Sequence, residues 1–399
     1  MAPPPEPPIL RTQYEILEEI FLLLPTAADL ARASAACPSF RLVITGHAFL
    51  RRYRALHPPP RVGAFANDAF VAAQPPHPSA VAARAFAGFD FSCSSFLPST
   101  AGRAWRAIDF FDGRVLLSGG PVQRRCGVPG LDFHYRNFLV RDLAVCDPVH
   151  RRYVLLPAIP ADLKALVGEP ELLHLETFLA PSNEEDPLSF RVICLVQCRM
   201  KILLLVFSSL DGQWHSLAFD CQATFDSYED PNGALSHRQF LHGCFFCWSL
   251  IPLNKVLLLD MHTMKLSAIN PPPEQRADSD FVIVEAAQGM LGMLTIGHDG
   301  DNQARPFWLT YSILRNDQWH SEKVIPLPVK CAAILLGVAG GYLLIEALFI
   351  TSSRENLQFR LFSMDVKTFQ VELFAEHSEV ILPAQLYAGF PPSLCAPTI

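Results

Sequence analysis

A repeat with a period of 105 residues constrains the fold of this chain more than any other feature of its sequence. The segment DGQWHS recurs as NDQWHS, so that Trp214 and Trp319 are 105 residues apart. The segment LLLDMHTMKL recurs as LFSMDVKTFQV, which places Asp260 and Asp365 at the same separation. Two different markers with one period indicate an array of similar structural units.

The spacing of the markers predicts the size of each unit. The Trp-to-Asp distance is 46 residues in both copies, and a looser echo pairs Trp105 with Asp147, 42 residues later. Kelch-like propeller blades are about 50 residues long and have four strands each, so one period holds two blades. Residues 86–390 then have room for about six blades. We expect each Asp to close a tight turn and each Trp to pack between neighbouring sheets. A β-sandwich is the alternative.

The composition agrees with a large all-β domain. Half of the residues are hydrophobic and only 18% are charged, against about 25% in typical proteins, which predicts an extensive core. From residue 86 onward, short apolar or alternating runs such as RYVLLP, RVICLVQC and KILLLVFSS are separated by turn residues. The fold class predicted for the chain is α+β multidomain, with a small helical block before an all-β, propeller-like (Kelch-like) repeat domain.

The N-terminal block has helical periodicity. An apolar stripe follows residues 16, 17, 20, 21 and 24, and Pro25 stops that helix. Thr26 and Asp29 form a capping-box-like start for the next helix. A last helix, at residues 47–57, is predicted to point Phe49, Leu50, Tyr53 and Leu56 inward and Arg51, Arg52 and Arg54 outward. By periodicity alone, an ordinary helical cap on a β domain is the alternative to a functional module.

The same block resembles the F-box of plant F-box proteins. The resemblance covers residues 12–60, and LLLPTAADLARASAAC and HAFLRRYRALHPPP are its most specific parts. The β half resembles the F-box-associated domains of that family more loosely, through HGCFFCWSLIP and LLLDM…INPPP. Two positions depart from the F-box pattern, because Thr12-Gln13 replaces the usual Leu-Pro and Phe40 replaces a Trp.

The resemblance implies a substrate-recognition subunit of an SCF-type cullin–RING ubiquitin ligase, in ubiquitin-dependent protein degradation. The F-box would bind the Skp-type adaptor, and the β domain would bind a client protein. Matching the motif residue by residue gives the adaptor-binding candidates Ile16, Leu17, Ile20, Leu24, Pro25, Leu30, Ala33, Cys37 and Phe40. A degenerate F-box on a β-propeller interaction scaffold is the first alternative, and a propeller enzyme is the second.

The expected domain organisation follows from these boundaries. We expect a disordered Pro-rich N-terminus, the F-box, a Pro/Ala-rich linker, the propeller-like domain and a C-terminal tail, at residues 1–11, 12–57, 58–85, 86–390 and 391–399. Two acidic, turn-rich loops, Ser182–Pro187 and Phe225–Gly233, are candidates for client contact, although solvated loops without a role are the simpler interpretation.

Charge and cysteine usage narrow the function classes. The net charge of −7 disfavours nucleic-acid binding. An odd number of cysteines, 11, without a secretory segment or a glycosylation sequon, indicates reduced thiols in the cytosol or nucleus. The most hydrophobic run, Cys331–Ile345, is too short for a membrane span and is broken by Gly340-Gly341, so we expect two buried strands joined by a turn.

No sequence motif indicates catalysis or a cofactor. Cys244 and Cys247 form one Cys-x-x-Cys without a second pair, and alternation along a strand points them to opposite faces. The HDGDN segment at 298–302 lacks the central Gly and terminal Glu of an EF-hand loop. Common nucleophile, phosphate-binding, dinucleotide and zinc signatures do not occur. We therefore expect a non-enzyme with no metal and no cofactor.

Overall fold

The structure is a computed structural model of the chain. It describes residues 8–57, 59–66, 69–86, 88–89, 91, 93, 95–98, 104–120, 142–167, 172–181, 188–198, 200–221, 234–241, 245–251, 255–272, 281–298, 307–329, 332–339, 341–350, 357–377, 384–389 and 399.

Residues 8–57, called the helical module below, form four helices around a core of their own. The helices are α1 (Pro8–Leu22), α2 (Ala27–Ala36), α3 (Pro38–Ile44) and α4 (His47–Leu56). The core consists of buried side chains from all four helices: Phe21, Leu22, Leu30, Val43, Ile44, Phe49, Leu50 and Tyr53. Every residue that packs in this cluster lies between positions 14 and 53.

The local signals read from the sequence account for the helix boundaries. Thr26 caps α2, since its side chain accepts a 3.1 Å hydrogen bond from the Asp29 amide. Two features differ from expectation. Helix α1 begins at Pro8, inside the segment expected to be disordered, because proline is well tolerated in a first turn. Leu56, expected to point inward, is one of the exposed leucines.

The described residues after the helical module form six sheets, and consecutive strands pair antiparallel within each of the first five. The first blade contains β3 (Ala104–Phe111), β4 (Arg114–Gly120), β5 (Asp142–Asp147) and β6 (Arg152–Leu155). The second contains β7 (Leu172–Pro181), β8 (Phe190–Cys198), β9 (Lys201–Ser208) and β10 (Gln213–Asp220). The third contains β11 (Ala234–Leu241), β12 (Phe245–Ile251), β13 (Lys255–Asp260) and β14 (Lys265–Ile269). A short helix, α6 (Ala161–Ala165), lies between the first two blades.

The fourth and fifth blades repeat this arrangement. Their strands are β15 (Phe281–Glu285), β16 (Leu291–His298), β17 (Phe307–Arg315), β18 (Gln318–Pro326), β19 (Ala332–Ala339), β20 (Tyr342–Ile350), β21 (Leu357–Asp365) and β22 (Val371–His377). The apolar run at Cys331–Ile345 therefore forms parts of β19 and β20, and Gly341 adopts a left-handed conformation between them (φ +79°).

The sixth blade joins the two ends of the β domain. Its order is β2 (Ala69–Ala72), β1 (Arg61–Ala66) and β23 (Ala384–Ala388), so two strands near the helical module pair with one from far along the chain. The innermost strands, β3, β7, β11, β15, β19 and β23, contact one another around a ring. The predicted architecture of a helical region followed by an all-β propeller is confirmed, and the propeller has six blades.

The segment expected to be a linker differs from that expectation. Residues 61–66 and 69–72 are the strands β1 and β2, and Ala80–Ala83 is a short helix, α5. Val62 and Ala64 are completely buried against Leu344 and Phe374 of the fifth blade. Burial against the neighbouring blade, a tertiary effect, overrides the low strand propensity of the alanines in this segment.

The 105-residue period is a two-blade repeat. In the first, third and fifth blades, an Asp ends the third strand and caps the turn that follows. Asp260 Oδ1 accepts hydrogen bonds from the His262 and Thr263 amides at 2.8 and 3.2 Å. Asp365 Oδ1 accepts hydrogen bonds from the amides two and three residues after it, at 2.8 Å each. Asp147 accepts the His150 amide at 3.0 Å in the first blade.

The tryptophan marker belongs to the alternate blades. Trp214 lies on β10 and donates its indole N–H to the Pro157 carbonyl at 2.9 Å, just beyond the first blade's last strand. Trp319 lies on β18 and donates to Asn270 beyond the third blade at 2.7 Å. Each tryptophan thus joins its blade to the preceding one. Trp105 is not equivalent, because it lies on the innermost strand β3 and donates to Pro98.

Candidate functional site

An exposed apolar ridge runs along the first helix of the helical module. Ile16 and Ile20 lie on one face of α1, and Leu23 follows them in the turn just after the helix, where its amide donates to the Ile20 carbonyl; the three side chains are 56%, 51% and 81% exposed. The opposite face carries Phe21 and Leu22, which are buried in the core of the module. Because the module already has a complete core, this ridge is surplus apolar surface of the kind that marks interaction sites.

The other adaptor-binding candidates differ in how far they are buried. Leu17 and Leu24 are partly buried and pack against the core of the module, whereas Pro25 is exposed. Ala33 and Cys37 are also partly buried. Leu30 has no exposed surface, so it belongs to the core and not to the surface.

Phe40, which replaces the tryptophan of the F-box pattern, has an internal role. Its ring meets Phe21 edge-on, with ring centroids 5.1 Å apart and an interplanar angle of 71°. Such pairs stabilise beyond their buried area. The exchange of Trp for Phe therefore keeps α3 packed against α1.

Two exposed leucines were not found by sequence reasoning. Leu23 lies within the LLLPTAADLARASAAC motif and is 81% exposed, and Leu42 on α3 is 64% exposed. Helical periodicity identifies which residues lie on an apolar face of a helix. It does not show whether that face is buried in the core or exposed on the surface. Exposure in the folded module was needed to separate them.

An ion-pair bridge holds α4 against α1. Arg52 donates to Glu19 at 2.6 Å and to Glu18 at 3.3 Å, on the helix that carries the ridge. Arg52 was expected to be an outward residue, and its guanidinium is about half exposed. Exposed pairs of this kind contribute little to stability, because water and salt screen them.

A second cluster of charged residues lies on the innermost strands of the first three blades. Arg238 on β11 donates to Glu176 Oε1 on β7 at 2.8 Å and to Asp109 Oδ1 on β3. The remaining carboxylate oxygens are also paired. Trp248 Nε1 donates to Glu176 Oε2 at 2.8 Å, and the Leu179 amide donates to Asp109 Oδ2 at 2.7 Å.

Irregular strand pairing accounts for the meeting of these side chains. The β3–β4 register shifts immediately before Asp109, and the β11–β12 register shifts across residues 237 and 238. A β-bulge of this kind re-aims the side chain that it carries. Asp109 and Arg238 are 129 residues apart in the sequence, so no local sequence pattern predicted the cluster.

The electrostatics keep the cluster ionised. Burial by itself would raise the pKa of Glu176, but Arg238, the neighbouring His174 ring and the hydrogen bond from Trp248 lower this pKa to about 2. Burial would lower the pKa of Arg238, yet Asp109 and Glu176 raise it above its ordinary value. A carboxylate with a pKa near 2 is a poor proton acceptor near neutral pH. The geometry suits an ionic connection between three blades.

The described residues give few other chemical groups to consider. Among them, no three His, Cys, Asp or Glu side chains are grouped so that they could hold a metal ion. Cys247 is buried on β12, and its motif partner Cys244 lies outside the described residues, as does most of the HDGDN segment. No helix in the described part of the chain is both long and apolar enough to cross a bilayer.

The loops proposed for client contact, Ser182–Pro187 and Phe225–Gly233, also lie outside the described residues. Their flanking strands can be compared. Strands β7 and β10 end on opposite faces of the propeller, because successive strands of a blade run antiparallel.

Comparisons with known proteins give similarity to solved structures at low sequence identity. No family model matches the chain, and no curated protein matches it. An exo-β-1,3-galactanase from Clostridium thermocellum is 9% identical over 69% of this chain and 62% of its own, with a TM-score of 0.34. The Dos1 propeller is 8% identical over 69% and 62%, with a TM-score of 0.34. The Cps50 (Swd1) β-propeller of Myceliophteria thermophila is 15% identical over 66% and 68%, with a TM-score of 0.31.

Proposed function

We propose that this chain is a substrate-recognition subunit of an SCF-type cullin–RING ubiquitin ligase of the plant type, acting in the cytosol or nucleus. The helical module binds a Skp-type adaptor, and the propeller binds a client protein. The chain makes and breaks no bond itself. It raises the effective concentration of client lysines near the catalytic subunit. The β-propeller fold is consistent with the broader role of a protein-interaction scaffold.

The observation that carries the proposal is the apolar ridge of Ile16, Ile20 and Leu23. A helical cap that only covered a β domain would turn its largest apolar side chains toward that domain or into its own core. In this module the core is complete without them, and the ridge coincides with the first helix of the F-box-like motif. Fully burying one exposed side chain of this size contributes roughly 1.5–3 kcal/mol, and a partner could bury the exposed half of Ile16 and Ile20 and most of Leu23.

The arrangement of the propeller also supports two separate binding surfaces. Strand β1 begins at the face of the propeller that carries the turn after Asp365, since Arg61 lies over the Tyr342 ring beside that turn. On this face the connections within blades have at most eight residues, as at 182–189. The longer connections, such as 121–141, leave from the opposite face. A client bound there would not compete with the adaptor for space.

The test is a calorimetric titration of the full-length chain with a purified Skp-type adaptor. Replacing Ile20 and Leu23 together by Asp should weaken binding at least 30-fold, the equivalent of about 2 kcal/mol at a hot spot. Leu210→Asp is the matched control, because Leu210 is 59% exposed in a turn of the second blade. Alanine at Leu17 and Leu24 is less informative, since both pack against the core.

The titration also addresses the scaffold alternative. If the wild-type chain does not bind the adaptor, the departures at Thr12-Gln13 and Phe40 become the explanation to test. Restoring Leu-Pro and Trp at these positions should then produce binding. If neither the wild-type nor the restored chain binds, the ligase proposal is wrong and the propeller acts as a scaffold for another partner.

A further inference from the structure

The outermost strand of the first blade exposes an unusual amount of apolar surface. All four residues of β6 are exposed, and three consecutive ones, Tyr153, Val154 and Leu155, are large and apolar. The outermost strands β10 and β18 expose one such residue each, Leu217 and Val324. Neighbouring exposed apolar side chains mark interaction surfaces, whereas single ones do not.

The free edge of β6 also presents main-chain groups for pairing. The Leu156 amide donates to the Leu143 carbonyl at 2.9 Å, in register with the β5–β6 ladder. Since main-chain groups alternate in direction along a strand, those of Val154 also point to β5, and those of Tyr153 and Leu155 point away from it. Within the described residues, β5 is the only strand that pairs with β6. Such an edge suits an extended peptide, which would add a strand to the sheet.

A residue from far along the chain is already bound next to this edge. Arg152, the first residue of β6, donates from its guanidinium to the main-chain oxygen of Ile399 at 3.2 Å. The Ile399 side chain is partly buried and packs against the apolar cluster that the first two blades share, called the seam below. The seam includes Leu156 and Ile159 after β6 and Leu179 on β7. Ile399 thus shows which groups bind here, an aliphatic side chain and a main-chain oxygen.

The seam is held in place by hydrogen bonds between the first two blades. Trp214, which belongs to the seam, donates to the Pro157 carbonyl at 2.9 Å. Lys201 Nζ on β9 donates to the Leu166 carbonyl, just after α6, at 2.6 Å. Both bonds tie the segment after β6 to the second blade. A preformed seat of this kind lowers the ordering cost of binding a peptide.

We propose that the seam and the adjoining edge of β6 form a docking site for an extended peptide with an aliphatic side chain, and that Ile399 is its occupant in the free chain. A second copy of the chain is a poorer occupant. A strand of four residues is too short to bury the roughly 1,000 Å² that a stable interface needs. The site lies on the propeller and does not depend on the adaptor or on the proposed ligase function.

The first measurement maps the position of residue 399 in the full-length chain. A diazirine-bearing aliphatic amino acid replaces Ile399, and its photo-crosslinks are located by mass spectrometry. The crosslinked residues should lie in the first two blades, whose side chains form the seam. Crosslinks that lie only in other blades, or the absence of intramolecular crosslinks, would overturn the proposal.

The second measurement asks whether the vacated site binds the same sequence in trans. A fluorescein-labelled peptide Ala-Pro-Thr-Ile, the sequence of residues 396–399, is titrated with the full-length chain by fluorescence anisotropy. Ile399→Asp should bind the peptide at least about tenfold more tightly than the wild type, in which Ile399 competes at a high effective concentration. Ile399→Leu keeps an aliphatic side chain and should behave like the wild type.

Matched controls test the role of each contact. In the Ile399→Asp chain, Arg152→Gln should weaken peptide binding roughly threefold, as expected for an exposed charged contact. Arg151→Gln, at the neighbouring exposed arginine, should leave it unchanged. Ile399→Ser repeats the test if the aspartate variant does not fold. Equal affinity of the peptide for the wild type and the vacated chain, or no binding to either, would show that the seam is not a docking site.

Discussion

The ionic cluster on the innermost strands gives the most specific stability prediction. Arg238 neutralises Asp109 and Glu176, which come from two other blades. The Arg238 side chain is only 10% exposed and that of Asp109 only 2%. Replacing Arg238 by Met keeps most of the side-chain volume and removes the charge. Two carboxylates would then remain close together without their shared cation.

The expected magnitude follows from the burial of the partners. Removing one member of a buried ion pair destabilises a protein by about 3–5 kcal/mol, because the remaining charge is desolvated and unpaired. Arg238 serves two carboxylates, and its guanidinium also lies 4.4 Å from the centre of the Phe178 ring. We therefore expect Arg238→Met to lower the free energy of unfolding by at least about 3 kcal/mol.

The assay is urea unfolding followed by tryptophan fluorescence, which suits this site because the Trp248 indole donates to Glu176. Arg315→Met is the matched control. Arg315 pairs with Glu322 at 2.9 Å, but both side chains are more than a third exposed, so the loss should be at most about 1 kcal/mol. Equal losses for the two variants would refute the reasoning that burial makes the Arg238 cluster important.

Three further predictions concern other parts of the propeller. Arg151 has a left-handed φ of 52° and an exposed side chain. Because glycine adopts this conformation without strain, Arg151→Gly should raise the free energy of unfolding, measured by urea titration, by about 0.5–1 kcal/mol. A decrease in this free energy would contradict the prediction. Burial lowers the pKa of His77 to about 4, so stability should fall as the pH drops from 6.5 toward 4, by up to about 3 kcal/mol. His77→Asn should flatten that part of the profile, whereas His215→Asn, at an exposed position, should not. Phe65 lies in an aromatic cluster, with its ring 3.8 Å from that of Phe110, and Phe65→Ala should cost about 3–5 kcal/mol by calorimetry; a smaller loss would mean that the cavity collapses.

The sign of the His77 prediction follows from which state binds the proton more tightly. The unfolded histidine titrates near pH 6.5 and the folded one near pH 4. Between these values the unfolded state binds more protons, so protonation favours unfolding as the pH falls. The structural reason is that Nδ1 accepts the Ser79 amide at 3.1 Å and Nε2 lies 3.0 Å from Ser363 Oγ, deep in the protein. This arrangement fits a neutral ring.

Much of the fold could be predicted from local sequence because propellers are built from short-range pairings. The spacing of Asp260 and Asp365 predicted a two-blade period, and the structure shows the same capped turn at both places. The same turns place non-glycine residues, Met264 and Phe369, at left-handed φ angles of 52° and 61°. Turn chemistry of this kind depends on a few neighbouring residues, and sequence records it directly.

The closure of the ring could not be predicted in this way. Strand β1 pairs with β23, more than 300 residues away, and neither strand carries a strong β signal. The burial of the adaptor-binding candidates could not be predicted for a similar reason. Ile20 and Leu30 both match the F-box-like motif, yet one is half exposed and the other is completely buried. Periodicity gives the apolar positions of a helix. It does not show which of these positions another part of the protein covers.

The sequence by itself determined the helical and β halves of this protein, the period of the repeat and the residues of the F-box-like motif, because these depend on local patterns of apolar residues and turns. Only the tertiary structure decided that residues 61–72 complete the sixth blade and that Arg238 joins three blades. The same holds for the ridge of Ile16, Ile20 and Leu23, which remains outside the core. Each of these features arises from contacts between distant segments, whose energies depend on burial and on the shape of the assembled neighbours.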